Sequence, residues 1–107
     1  MGPLLAFVFL LAISLSGCAP GDGRRAAARG REVYQKHCLS CHATDHTFTE
    51  KGPGLGGLFG RRALVNGKDL NEPNVREIIR RGVGRMPGFG KLTPQEMDDL
   101  MAYLRTL

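Results

Sequence analysis

Apolar positions fall into two kinds of pattern along this chain. Residues 4–15 are almost wholly apolar and show no period. From residue 24 onward, apolar side chains recur at intervals of three and four among charged ones, as amphipathic helices require. The first such stretch, residues 24–37, places Gly30, Val33, Tyr34 and His37 on one face. A second, residues 72–81, aligns Val75, Ile78 and Ile79, with Asn71 as its cap, Pro73 in its first turn and Gly82 as its stop. The last begins at Thr93-Pro94-Gln95-Glu96, a capping box with Pro at the first helical position. It carries the stripe Met97, Leu100, Met101, Leu104 and runs almost to Leu107. Asn66-Gly67 reads as a tight turn joining Leu64-Val65 to Asp69-Leu70, and residues 82–90 hold too many Gly for a regular helix.

The apolar run is much shorter than the roughly 20 residues that cross a bilayer and ends in small residues, so it reads as the core of a signal peptide. Leu15-Ser16-Gly17-Cys18 resembles the lipobox of bacterial lipoproteins, which implies cleavage after residue 17 and a diacylglycerol thioether on Cys18. The expected organisation is a signal peptide at 1–17, a tether at 18–23 and one folded domain at 24–107. A domain of that size buries too little surface to stand easily on its own core and calls for a staple or a cofactor. The chain has 107 residues, 15 Gly and no Trp.

Fifteen Lys and Arg against ten Asp and Glu leave a formal charge of +5, all of it beyond residue 18. The basic residues are interspersed with acids and no groove-reading motif accompanies them, so nucleic acid is not the expected partner. An acidic protein surface or a membrane fits the sign. Three cysteines exclude a disulfide framework.

Two of those cysteines lie in Cys38-Leu39-Ser40-Cys41-His42, the C-x-x-C-H pattern of c-type haem attachment. Thiols two residues apart reach the two vinyl groups on one edge of the macrocycle, and the adjacent His brings its imidazole beneath the iron. A thioredoxin-like pair would want a preceding strand, and structural zinc would need a fourth ligand, for which His37 and His46 are the candidates. With Cys18 bearing lipid and Cys38 and Cys41 bearing one haem, every thiol is used.

An electron carrier also needs a second axial ligand, because an open iron invites oxygen chemistry. Met97 and Met101 belong to the helical stripe and read as core. Met86 lies in the Gly-rich stretch that can bring backbone close to a flat ligand, and is the expected distal ligand. His46, four residues after His42, is the competitor. His42 needs its other ring nitrogen hydrogen-bonded to a carbonyl, and Gly52-Pro53-Gly54-Leu55 can supply one.

These residues together resemble the class I cytochrome c family, from about Gly30 to Leu104. The resemblance implies an all-α cytochrome c fold with N- and C-terminal helices crossed and the haem enclosed by loops. It pairs Gly30 and Tyr34 with Leu100 and Tyr103 at the crossing. Gly52-Pro53-Gly54-Leu55 and Gly57-Leu58-Phe59-Gly60-Arg61 are similar to the family's loop, which implies that the Pro53 carbonyl receives the His42 hydrogen bond and that Arg61 approaches a propionate. Between Arg62 and Asn74 the connection is shorter than in the long mitochondrial form and lacks its Trp, which leaves the partners of the inner propionate open.

The function expected is that of a membrane-tethered monomer carrying single electrons at positive potential, without catalysing a transformation. A quinol-oxidising complex or a dehydrogenase would be the donor and a terminal oxidase the acceptor, on the outer face of the cytoplasmic membrane or in the periplasm. Lys51, Arg62, Arg85 and Lys91 are candidates for a basic rim that steers docking. The alternatives are a fixed electron-transfer subunit of a dehydrogenase and a haem gas sensor or peroxidase.

Overall fold

A computed structural model describes residues 21–107 together with Gly2 and Gly17; the apolar run expected to be a signal-peptide core and Cys18 lie outside the described residues. Among the described residues the regular structure is three α-helices, α1 (Asp22–His37), α2 (Glu72–Arg81) and α3 (Pro94–Leu104), with a single 3-10 turn at Leu58–Gly60. No strand forms among the described residues, in agreement with the all-α expectation.

Helix α1 starts two residues earlier than its apolar period suggests, because Asp22 complements the positive end of the helix dipole in the first turn. The caps of α2 and α3 are those the sequence spells out. Asn71 accepts from the Asn74 backbone N–H at 2.9 Å. Thr93 and Glu96 close a reciprocal capping box, at 3.1 Å in each direction. Beyond Leu104 the chain continues as turns, with Arg105 N–H on the Met101 carbonyl and Thr106 N–H on that of Tyr103.

Helices α1 and α3 cross in close contact, and the crossing depends on Gly30. A Cβ there would stand 1.8 Å from the Asp99 carbonyl oxygen and 2.9 Å from Cβ of Tyr103. Tyr34, one turn on, is fully buried and meets Tyr103 edge-on with ring centroids 5.2 Å apart. The core continues through Met97, Leu100, Met101 and Leu104 of α3, then Val75 and Ile79 of α2, and Leu58. Met97 and Met101 are thus core residues, as their helical spacing predicts.

Among the described residues Asp99 is the buried charge of the core, and it is paired. Both carboxylate oxygens accept from Arg29 of α1, at 2.9 and 3.0 Å, and one accepts from Gln95 at 2.9 Å. This fork fastens the two helices one residue from the Gly30 contact.

Candidate functional site

A cleft of about 320 Å³ opens between the crossed helices, α2 and the loops. Cys38, Cys41 and His42 line one part of it; Val83, Met86, Pro87 and Phe89 line another; Leu58, Leu64, Leu70, Val75, Ile79, Leu100 and Leu104 supply apolar wall. Pro53, Arg61, Lys51, Arg85 and His37 also border it. Cys38, Cys41, His42, Pro53, Arg61 and Met86, the residues expected to hold or flank the haem, therefore all border one cavity. His46 does not line the cleft: it is exposed, with its ring beside Gly57. No cluster of three or more His, Cys, Asp or Glu converges as a metal site among the described residues, so the fourth ligand that zinc would need is not gathered.

The proximal wall is set by the end of α1. Cys38 caps that helix, its N–H bonding the Tyr34 carbonyl at 2.8 Å, and Cys41 and His42 turn back with their N–H groups on the Cys38 carbonyl. Burial, helped by the neighbouring Cys41, pushes the Cys38 thiol up to about 11, so it is a neutral thiol at neutral pH. Nδ1 of His42 lies 2.8 Å from the Pro53 carbonyl. Since a carbonyl oxygen only accepts, the proton sits on Nδ1, and Nε2 is the nitrogen left with a free lone pair for a metal. Gly52 makes this approach possible: a Cβ there would be 2.7 Å from Cε1 of the imidazole.

The opposite wall comes from the Gly-rich stretch after α2. Gly82 turns the chain at φ 77°, and its missing side chain leaves room for the Met86 carbonyl, 2.4 Å from where a Cβ would stand. Val83 and Met86 pair through N–H donors to each other's carbonyls at 3.1 and 2.9 Å, and the Phe89 N–H bonds the Ile79 carbonyl at 2.7 Å. Met86 is thereby held against the cleft by a short, closed turn. The Phe89 ring also faces that of His37, with centroids 5.5 Å apart.

Arg61 borders the cleft, and Nη2 of its guanidinium donates to the carbonyls of Gly54 and Gly56 at 2.7 and 2.9 Å. Here it braces the Pro53 loop. Among the rim candidates, Lys51 and Arg85 border the cleft and are exposed, whereas Arg62 and Lys91 are exposed away from its lining. The expected turn at Asn66-Gly67 is present: the Leu64 N–H meets the Lys68 carbonyl at 2.9 Å, with Ala63 and Asp69 bridged.

Two hydroxyls at the site escape a reading of motifs alone. Tyr34 Oη donates to the His42 carbonyl at 2.7 Å. Thr49 Oγ1 lies 2.8 Å from the Cys41 carbonyl. The sole local signal for the latter is a Thr three residues before a Gly, the spacing of a side-chain-closed turn.

Three helices closing an apolar cleft over a Cys-x-x-Cys-His run define a small c-type haem protein, and donor set and cavity both suit one macrocycle. The chain belongs to the cytochrome c family: the family model described as cytochrome c oxidase, cbb3-type, subunit III matches residues 25–104. Its cofactor is one covalently attached haem c. The chain is 33% identical over 88 residues to cytochrome c oxidase subunit 2 of Alkalihalophilus pseudofirmus, covering 76% of this chain and 25% of that protein. It is 35% identical over 99 residues to the cbb3-type cytochrome c oxidase subunit FixP of Azorhizobium caulinodans, covering 88% and 31%. Against a cytochrome c-553-like protein of Synechocystis the identity is 33% over 81 residues, covering 76% and 69%. The chain thus spans a quarter to a third of the two oxidase subunits and about two thirds of the small cytochrome.

Proposed function

We propose that this protein is a membrane-tethered electron shuttle in which Cys38 and Cys41 bind haem c, His42 and Met86 are its axial ligands, and Cys18 carries the lipid. The observation that carries the reading is the convergence of Cys38, Cys41, His42 and Met86, from the end of α1 and the loop after α2, on a single apolar cleft. Bound haem supplies a one-electron ferric–ferrous couple. The soft sulfur of Met86 favours the ferrous state, and an apolar wall does the same by disfavouring the extra charge of the ferric site. Pro53 holds the His42 ring in the tautomer that offers Nε2. Lys51 and Arg85 form no ion pair among the described residues and present positive charge at the cleft, suited to an acidic acceptor such as a copper-containing oxidase subunit. The donor is a quinol-oxidising complex or a dehydrogenase, and the site of action is the outer face of the cytoplasmic membrane or the periplasm.

A reduced-minus-oxidised spectrum with an alkaline pyridine assay tests attachment and ligation together. Low-spin spectra insensitive to carbon monoxide, lost when Cys38→Ala and Cys41→Ala are combined, are the expected result. A high-spin ferrous form that binds carbon monoxide would make the protein a sensor instead. Release from membranes in Cys18→Ala tests the anchor.

The match to segments of larger oxidase subunits favours a second reading, a fixed electron-transfer subunit of an oxidase, and lends nothing to the dehydrogenase subunit that the sequence suggests. Purification in mild detergent separates this second reading from a shuttle by the presence of a stoichiometric partner.

A further inference from the structure

We propose that Thr49 is a positioning residue for the proximal imidazole, its hydroxyl fastening the turn that carries the Pro53 carbonyl to the backbone of the haem-binding segment. This rests on the assignment of His42 as an iron ligand made above.

Thr49 Oγ1 lies 2.8 Å from the Cys41 carbonyl and 2.9 Å from that of Gly52, and it accepts from the N–H groups of Gly52 at 3.1 Å and Lys51 at 3.3 Å. A hydroxyl has one proton to give. The Gly52 carbonyl already takes the Thr49 backbone N–H at 2.9 Å, whereas the Cys41 carbonyl is the nearer acceptor and has no other protein donor among the described residues, so we assign the proton to Cys41. The result is a bridge from the Cys41 carbonyl through Oγ1 to the Gly52 N–H. It is the one hydrogen bond by which residues 49–52 reach outside their own turn, among the described residues.

What hangs on that turn is the imidazole. Gly52 lies against Cε1, and Pro53, the next residue, accepts from Nδ1. Residues 54–56 are held separately: the N–H groups of Leu55 and Gly56 bond the carbonyls of Ala43 and Asp45, and Arg61 holds the carbonyls of Gly54 and Gly56. Losing the hydroxyl therefore frees one arm of the loop, the arm that touches the ring, while the other stays pinned. Thr49 is part of no helix and lies outside the core, so the hydrogen bonds of its hydroxyl serve this loop alone.

The test is the exchange of the His42 Nδ1 proton, followed by NMR in the ¹⁵N-labelled ferrous holoprotein. Thr49→Val should speed it threefold or more, about what one lost hydrogen bond allows. Thr49→Ser should remain within threefold of the parent. Thr93→Ala, which weakens α3 far from the loop, is the control for global opening. Less than threefold acceleration in Thr49→Val, Ser exchanging as fast as Val, or an equal acceleration in Thr93→Ala would each overturn the role of Thr49. A parent spectrum that is not low-spin overturns the ligand assignment first, and the two failures are thereby told apart.

Discussion

The hydroxyl of Tyr34 donates to the carbonyl of His42, 2.7 Å away, so the side chain at the helix crossing also holds the backbone of the proximal segment. Tyr34 is fully buried, and burial pushes its phenol well above the ordinary tyrosine range, which keeps it a donor throughout the working pH span. Tyr34→Phe keeps the packing and leaves the His42 carbonyl without this donor. We expect a loss of about 1–2 kcal/mol in urea unfolding of the holoprotein, with its low-spin spectrum retained.

Gly30→Ala pits propensity against space. Alanine in a helix interior gains about 1 kcal/mol over glycine. Its Cβ, however, would meet the Asp99 backbone at 1.8 Å, a contact that only a shift of the helix backbones relieves. Overpacking of this kind costs about 3 kcal/mol, so the clash wins by roughly 2 kcal/mol. A shift of the urea midpoint at constant slope measures it; an unchanged midpoint would mean that the helices part freely.

Met86→Ala should retain covalent haem and lose the weak near-red band of sulfur on ferric iron, with the reduced protein becoming able to bind carbon monoxide. The Val83–Met86 pairing uses backbone groups alone, so the loop keeps its shape and the change stays at the ligand. Retention of the parent spectrum would place the sixth ligand elsewhere.

Acid should weaken the fold through two carboxylates. Asp99 is held below the usual range chiefly by its hydrogen bond from Arg29, against the opposing effect of burial. Glu72 is lowered likewise, first by Arg105 and then by Arg76. Carboxyls whose folded pKa lies below the unfolded value stabilise fully above about pH 4–5 and lose that contribution as pH falls through the folded value. Melting temperature should therefore be level from pH 7 to about 5 and decline below about 4. Asp99→Asn should lower it at pH 7 and flatten that decline, as calorimetry across the pH series would record.

Much of this was legible because it is local. The caps at Asn71 and Thr93, the stop at Gly82 and the core stripe on α3 are set by neighbours a few residues apart. The C-x-x-C-H run and Met86 announce themselves by chemistry. What stayed hidden depends on distant or aperiodic partners: the Arg29–Asp99 fork joins residues that only the helix crossing brings together. The Thr49 bridge and the bracing of Gly54 and Gly56 by Arg61 lie in a loop with no hydrophobic period to betray its shape.

Among the described residues, α1 and α3 are the helices in extensive direct contact, while α2 faces them mainly across the cleft. Val75 and Ile79 belong to the core and to the cleft wall alike, so a haem held in the cleft would supply part of the adhesive that secures α2. Chains that miss their haem would hold this arm slackly and present a ready target to proteases. The abundance of the finished protein would then follow the supply of porphyrin as closely as the supply of message.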